Sequence, residues 1–213
     1  MTSPRSDAEP AYRIRPATPA DIGFLADVVV EATRAQGRLS DAFDETTWRS
    51  NFTAWTEKQL RGEARESTTS VIEVGDEPVG RLRVTRSQDR MELSGIQLLP
   101  SVQGQGIGTA IIEDLKAEAE AGGSCLDIGV EKDNPRARRL YERLGCVQVA
   151  EDDQEHKLRW CPSAPGPGAR EFAARNTRAL LMGVKVRAQT APVARPGDDL
   201  DGTADAVAAE QQP

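Results

Sequence analysis

Between Leu98 and Thr109 the chain passes from a strand that stops at Pro100 into a helix, by way of Gln103-Gly104-Gln105-Gly106-Ile107-Gly108. Glycines at such a junction let backbone N–H groups come close to a ligand, and the start of the helix adds about half a positive charge. The segment therefore reads as an anion cradle, best suited to a pyrophosphate. A strand feeding a helix through such a turn also constrains the fold, because it belongs to architectures that layer helices on a sheet.

The rest of the chain supports that class. A strand from Tyr12 to Arg15 leads into Thr18-Pro19-Ala20-Asp21, where Thr caps, Pro takes the first helical position and Asp closes a capping box ahead of an apolar face at Ile22, Leu25, Ala26 and Val29. A second helix follows Asp44. Its aromatic stripe, Trp48, Phe52 and Trp55, reads as core, with a tryptophan in an acceptor pocket as the other reading. Ser70 to Val74 and Val79 to Thr85, joined at Gly75-Asp76-Glu77-Pro78, form a hairpin in which Leu82 and Val84 alternate with Arg81 and Arg83. A strand from Met91 to Leu99 precedes the cradle. After its helix come a strand from Cys125 to Val130 and a helix capped by Asn134, opened by Pro135 and ended by Gly145. Cys146 to Ala150 and His156 to Trp160 read as a closing hairpin. The order β-α-α-β-β-β-α-β-α-β-β predicts a three-layer α/β domain around a mixed sheet.

The domain is expected over 11–161. Residues 1–10 read as disordered, and 162–213, rich in proline, alanine and glycine, as a mostly disordered tail with a short helix over 171–186. Composition excludes several functions. A net charge of -7 disfavours a broad grip on nucleic acid, no run is apolar enough to span a membrane, and the first ten residues carry no apolar export region, so a cytoplasmic address is expected. Three widely spaced cysteines, Cys125, Cys146 and Cys161, fit neither a disulfide framework nor a zinc-ligand pair and are expected to be buried or incidental; with a single histidine, His156, no metal site is expected.

Three ligand readings compete for the cradle. A P-loop needs Gly-Lys-Ser/Thr, which is absent. A dinucleotide turn needs a third glycine where Thr109 stands, although Asp127 lies roughly where a ribose-binding acid would. The third reading takes in the flanks: Gln103-x-x-Gly106-x-Gly108 matches Q/R-x-x-G-x-G/A, and Asn134-Pro135-Arg136-Ala137-Arg138-Arg139-Leu140-Tyr141-Glu142-Arg143-Leu144-Gly145-Cys146 resembles N-x-x-A-x-x-x-Y-x-x-x-G-F, with Cys146 for the usual Phe. In both segments the chain resembles the GCN5-related N-acetyltransferase (GNAT) superfamily.

That resemblance implies a mostly antiparallel sheet splayed between the fourth and fifth strands, and direct acetyl transfer from acetyl-CoA to an amine without an acyl-enzyme. By the same resemblance, Gln103, Gly104, Gln105, Gly106, Ile107, Gly108 and Thr109 would hold the pyrophosphate, while Leu98, Leu99 and Asn134 would meet the pantetheine arm. The N–H of Leu98 is the candidate oxyanion donor. Tyr141 is the candidate general acid for the departing thiolate, against a plain core tyrosine, and Glu92 the candidate general base, against an exposed strand glutamate. Glu92, Ser94, Ile96 and Leu98 share a face if the strand is regular; a bulge would upset the count. His156 is a weaker candidate for a base or substrate contact. Arg136, Arg138, Arg139 and Arg143 would face the nucleotide 3′-phosphate or form a solvated, ion-paired face. The acceptor is expected to be a small-molecule or peptide amine, chosen by segments near Gln36 to Arg61 and Glu151 to Trp160; Asp41, Asp44 and Glu45 suit a cationic amine or simply a helix start. A homodimer through the closing strands stands beside a monomer, and a CoA-binding sensor without turnover beside the enzyme.

Overall fold

The computed structural model describes residues 12–62, 66–87 and 90–162. The expectations for 1–10 and 163–213, including the helix over 171–186, lie outside the described residues. Seven strands form one sheet in the order β1-β2-β3-β4-β5-β7-β6: β1 (Arg13–Pro16), β2 (Ser67–Val74), β3 (Glu77–Ser87), β4 (Arg90–Leu98), β5 (Leu126–Glu131), β6 (Val147–Glu151) and β7 (Glu155–Trp160). The helices are α1 (Ile22–Ala35), α2 (Glu45–Leu60), α3 (Ile107–Ala121) and α4 (Pro135–Arg143).

Local signals set most of these boundaries. Thr18 and Asp21 form the expected capping box, around a short 3-10 turn that runs straight into α1. Asp44 caps α2 by accepting from the Thr47 N–H at 3.1 Å. Asn134 caps α4 by accepting from Ala137, and Gly145, at φ 85°, lets the chain turn back after that helix.

The sheet separates two apolar layers. On one face α1 and α2 pack Leu25, Val30, Trp48 and Phe52 against Val71; on the other α3 and α4 pack Ile111, Leu115 and Tyr141 against Leu82, Leu93 and Ile128. Trp48 and Phe52 are core, as their spacing indicates. Trp55 is half-buried with its ring under the Arg83 guanidinium, 4.7 Å from the centroid. Burial of Arg81 and Arg83 is the largest departure from the alternating pattern of β3. Both point toward α2, 3% and 6% exposed, and Arg81 lies over the Phe52 ring. Aromatic faces compensate part of the cost of drawing a guanidinium out of water.

Two features of the sheet shape the site. The only parallel pairing among the described residues, β4 with β5, covers just Met91–Leu93 against Leu126–Ile128; beyond it the strands part, which is the expected splay. In the β3–β4 ladder Arg83 pairs with Gly95 but Val84 with Leu93, so Ser94 is an extra residue, a bulge. The bulge changes the parity of β4. Glu92 faces α1 and α2, whereas Ile96 and Leu98 pack with the α3 layer, so the regular-strand face shared by all four residues does not exist.

The cysteines correct an expectation. Cys125 and Cys161 form a disulfide, because the Leu126–Trp160 pairing of β5 with β7 brings the two positions, 36 residues apart in sequence, to a Cα separation of 4.4 Å. Cys146 is free and buried. Such bonds persist mainly in oxidising surroundings, so this one lends no support to a cytoplasmic address. No described helix is long and apolar enough to cross a membrane.

Candidate functional site

The cradle is built by three local devices. Gly104 and Gly106 sit at φ 79° and 87°, in the left-handed region that L-residues avoid. Gly106 is also the N-cap of α3 and has no side chain to satisfy the first-turn amides, so the N–H groups of Ile107, Gly108 and Thr109 are left for a ligand. The Gln103 side chain ties the loop to the end of β4 by donating from Nε2 to the Leu98 carbonyl at 2.8 Å. Gln105 makes a similar tether to the Ser101 carbonyl.

Against this loop lies a cavity of about 470 Å³, walled by the cradle residues Gln103, Gly104 and Gly106 to Thr109, by Leu98, and by Asn134, Leu140 and Tyr141. Arg136, Arg139 and Arg143 also line it. None of these three has an ion-pair partner among the described residues, whereas Arg138 is paired with Glu142 and turned to His156. Of the two readings of the arginine cluster, Arg138 follows the ion-paired one and the other three leave positive charge facing the cradle.

A second cavity, of about 450 Å³, opens on the α1 face, between Ser94 to Gln97, the end of α1, Gly129 to Asn134 and Asp153 to Glu155. The two share Ala32, Gln36, Ile96, Gln97, Asn134, Ala137 and Tyr141, so they are halves of one trough meeting where β4 and β5 part. Carboxylates rim this half: Glu131 and Asp133, both bonded to the Arg38 guanidinium, with Asp153 and Glu155. Arg38 thereby ties the segment after α1 to the end of β5. Sequence reading singled out neither it nor Gln97, although the two segments it named as choosing the acceptor do supply lining residues.

Backbone geometry at the gap follows from the ladder. The Leu99 N–H donates to the Val79 carbonyl at 2.8 Å, so by antiparallel alternation Leu98 and Ile96 turn their backbone groups away from β3, toward the opening. Leu98 has its carbonyl engaged by Gln103, which leaves its N–H for the gap. Leu99, expected to share the pantetheine contact, spends its N–H on Val79 and its carbonyl on the Val102 N–H.

Tyr141 is 6% exposed and lines both halves of the trough. Burial, and then the neighbouring Cys146, push its hydroxyl well above the ordinary range, which keeps the phenol protonated; burial likewise pushes the Cys146 thiol up to about 11. Glu92 sits opposite Thr85 and level with Asp127, on the α1–α2 face but outside the lining of either half. His156 is held between Arg138 at Nε2, 2.9 Å, and Glu151 at Nδ1, 3.1 Å, which requires the Nδ1–H tautomer and leaves no free ring nitrogen. Asp127 is spent on Arg90 and Arg159 and lies outside the cradle cavity, against a dinucleotide reading. Asp44 and Glu45 serve α2, as its cap and as partner of Arg49 and Arg34.

Residues 31–146, more than half the chain, match the acetyltransferase (GNAT) family. The chain belongs to that family. No curated protein sequence matches the chain. Solved structures show the same fold in the PaiA N-acetyltransferase of Thermoplasma acidophilum in complex with coenzyme A (16% identity, TM-score 0.60, covering 71% of this chain and 99% of that one). They also show it in an acetyltransferase from Thermus thermophilus (19%, 0.58, 71% and 97%) and in a spermidine N-acetyltransferase chimera from Vibrio cholerae (14%, 0.56, 71% and 96%). In this GNAT domain the splayed strands, the uncapped α3 and α4 with its Asn134 cap form a single trough.

Proposed function

We propose that the protein transfers an acetyl group directly from acetyl-CoA to a primary amine of a small molecule or peptide. The observation that carries the reading is the trough itself: one half offers unsatisfied amides and three unpaired arginines, the other is rimmed by carboxylates, and Tyr141 stands where they join. An anionic nucleotide arm and an amine can thus enter from opposite ends.

Amides of Gly106 to Thr109 would bind the pyrophosphate, with Arg136, Arg139 and Arg143 available to the remaining phosphate. Asn134 keeps its side-chain N–H₂ for the pantetheine arm, since capping uses only its oxygen. Acetyl-CoA supplies an activated acyl thioester, so no covalent nucleophile is needed from the chain. The Leu98 N–H, directed into the gap, would meet negative charge as it develops on the thioester oxygen; one well-placed donor is worth about 3 kcal/mol of barrier. Tyr141 would donate to the departing sulfur. Glu92, outside the lining, would serve as base only through intervening water. A homodimer, if formed, would use the edge strand β6, where Val147 and Val149 are exposed.

The test is release of free CoA thiol from acetyl-CoA over an amine panel, with a thermal-shift titration alongside. Wild type should turn over at least one amine, and Tyr141→Phe should lower kcat by about 10²- to 10⁴-fold while keeping cofactor binding. Cofactor binding with no thioester cleavage for any amine would instead identify a CoA sensor.

A further inference from the structure

Gln97 stands at the join of the trough, and nothing in the transfer mechanism above uses it. Across the ladder from it is Arg81, whose Nη1 donates to the Gln97 Oε1 at 2.9 Å. A guanidinium has donors only, so the amide oxygen must face Arg81 and the amide Nε2, with two hydrogens, is left for the cavity. The arrangement is tightly made. Arg81 is 3% exposed, Phe52 lies under it with its centroid 5.6 Å away, and a Cβ on Gly95 would come within 3.1 Å of Nη1. Its Nε is buried without a hydrogen-bond partner and no described carboxylate pairs with it. A buried cation compensated only by a ring face and one amide oxygen costs stability and is not explained by packing.

We infer that Gln97 reads the acceptor, donating from Nε2 to an oxygen beside the attacking nitrogen, and that Arg81 is the positioning residue that orients this amide. The acceptor class is an α-amino carbonyl compound, an amino acid or a peptide N-terminus. A fixed donor over a buried positive charge favours an oxygen at that point and disfavours a second ammonium there, although Glu131, Asp133, Asp153 and Glu155 on the same half would attract one elsewhere. This rests on the acetyltransferase reading above.

The test compares kcat/KM for alanine, an alanyl dipeptide, n-propylamine and spermidine, with acetyl-CoA affinity measured separately by calorimetry and folding by melting. Wild type should favour the dipeptide or amino acid over n-propylamine. Gln97→Leu should reduce that preference roughly 10- to 100-fold, mainly through acceptor KM, without weakening acetyl-CoA binding. Arg81→Met should shift the preference the same way and Arg81→Lys restore part of it, a pattern that plain destabilisation would not produce. An unchanged ratio in Gln97→Leu, a loss of acetyl-CoA affinity in its place, or spermidine as the preferred acceptor would each overturn the inference while leaving the acetyltransferase reading intact. Absence of transfer to every amine, with acetyl-CoA still bound, would remove both.

Discussion

Opening the Cys125–Cys161 bond should lower stability by an amount that follows from where it lies. It closes a loop of sequence separation 36, from the residue before β5 to the residue after β7. In the chain-entropy model a loop of that length removes roughly 13 cal/mol/K from the unfolded ensemble, about 4 kcal/mol at 25 °C. The native state gives little of this back, because β5 and β7 remain paired from Leu126 with Trp160 to Glu131 with Glu155, and neither cysteine is fully buried. With an unfolding entropy of about 2.1 cal/mol/K per residue over roughly 150 folded residues, the midpoint should fall by about 12 °C. Calorimetric melts of the oxidised protein, the same protein after phosphine reduction, and Cys161→Ser give three independent readings. The last two should agree, since Cys146 is free in all three. A reduced protein or Cys161→Ser melting within about 2 °C of the oxidised form would refute the entropic argument.

Other outcomes follow from the site and its supports. Replacing Arg136, Arg139 or Arg143 with Ala should each weaken acetyl-CoA about 5- to 10-fold at roughly 50 mM salt and less at about 0.5 M, by calorimetry; dephospho-CoA losing as much as acetyl-CoA would show that these arginines do not meet the 3′-phosphate. Gly106→Ala should cost about 1–2 kcal/mol and weaken cofactor binding because of its positive φ, since no atom lies within 4 Å of an added Cβ. Gly108→Ala, whose Cβ would meet the Leu98 side chain at an ordinary 3.8 Å, should melt like wild type. Arg15, bonded to Asp21, holds that carboxyl below its usual range. The stability from this pair is present above the unfolded carboxylate value and lost as pH falls, so the melting difference between wild type and Asp21→Asn should narrow below about pH 4. A difference that does not change with pH would assign the loss to packing.

What was legible in the chain was what neighbouring residues decide. Thr18 with Pro19 and Asp21, Asn134 with Pro135, and Gly145 mark helix ends through bonds that span three or four residues, and the structure places them accordingly. Gly104 and Gly106 are informative for the same reason, because a positive φ is a property of one residue. What escaped depends on partners far away in sequence. Arg81 and Arg83 look like the wet side of an alternating strand until α2 lays Phe52 and Trp55 over them. The disulfide exists because α4 and β6 intervene before β7 returns to β5. Whether Leu98 or Leu99 faces the gap is decided by the hydrogen-bond phase of β3. The two cavities draw on α1, β4, β5, α4 and the β6–β7 turn together, and no single segment carries a mark of that convergence.

The extra residue at Ser94 matters for comparisons within the family. An ungapped alignment with a relative whose fourth strand is regular matches Glu92 and Leu98 at fixed offsets, yet one of the two must then correspond to a side chain on the opposite surface of the sheet. Equivalence along this strand is therefore a matter of orientation as well as of counting. Deleting Ser94 would make the strand regular and leave Glu92 and Leu98 on the opposite faces they now occupy, because Leu93 and Gly95 already pair as successive residues of a regular ladder would.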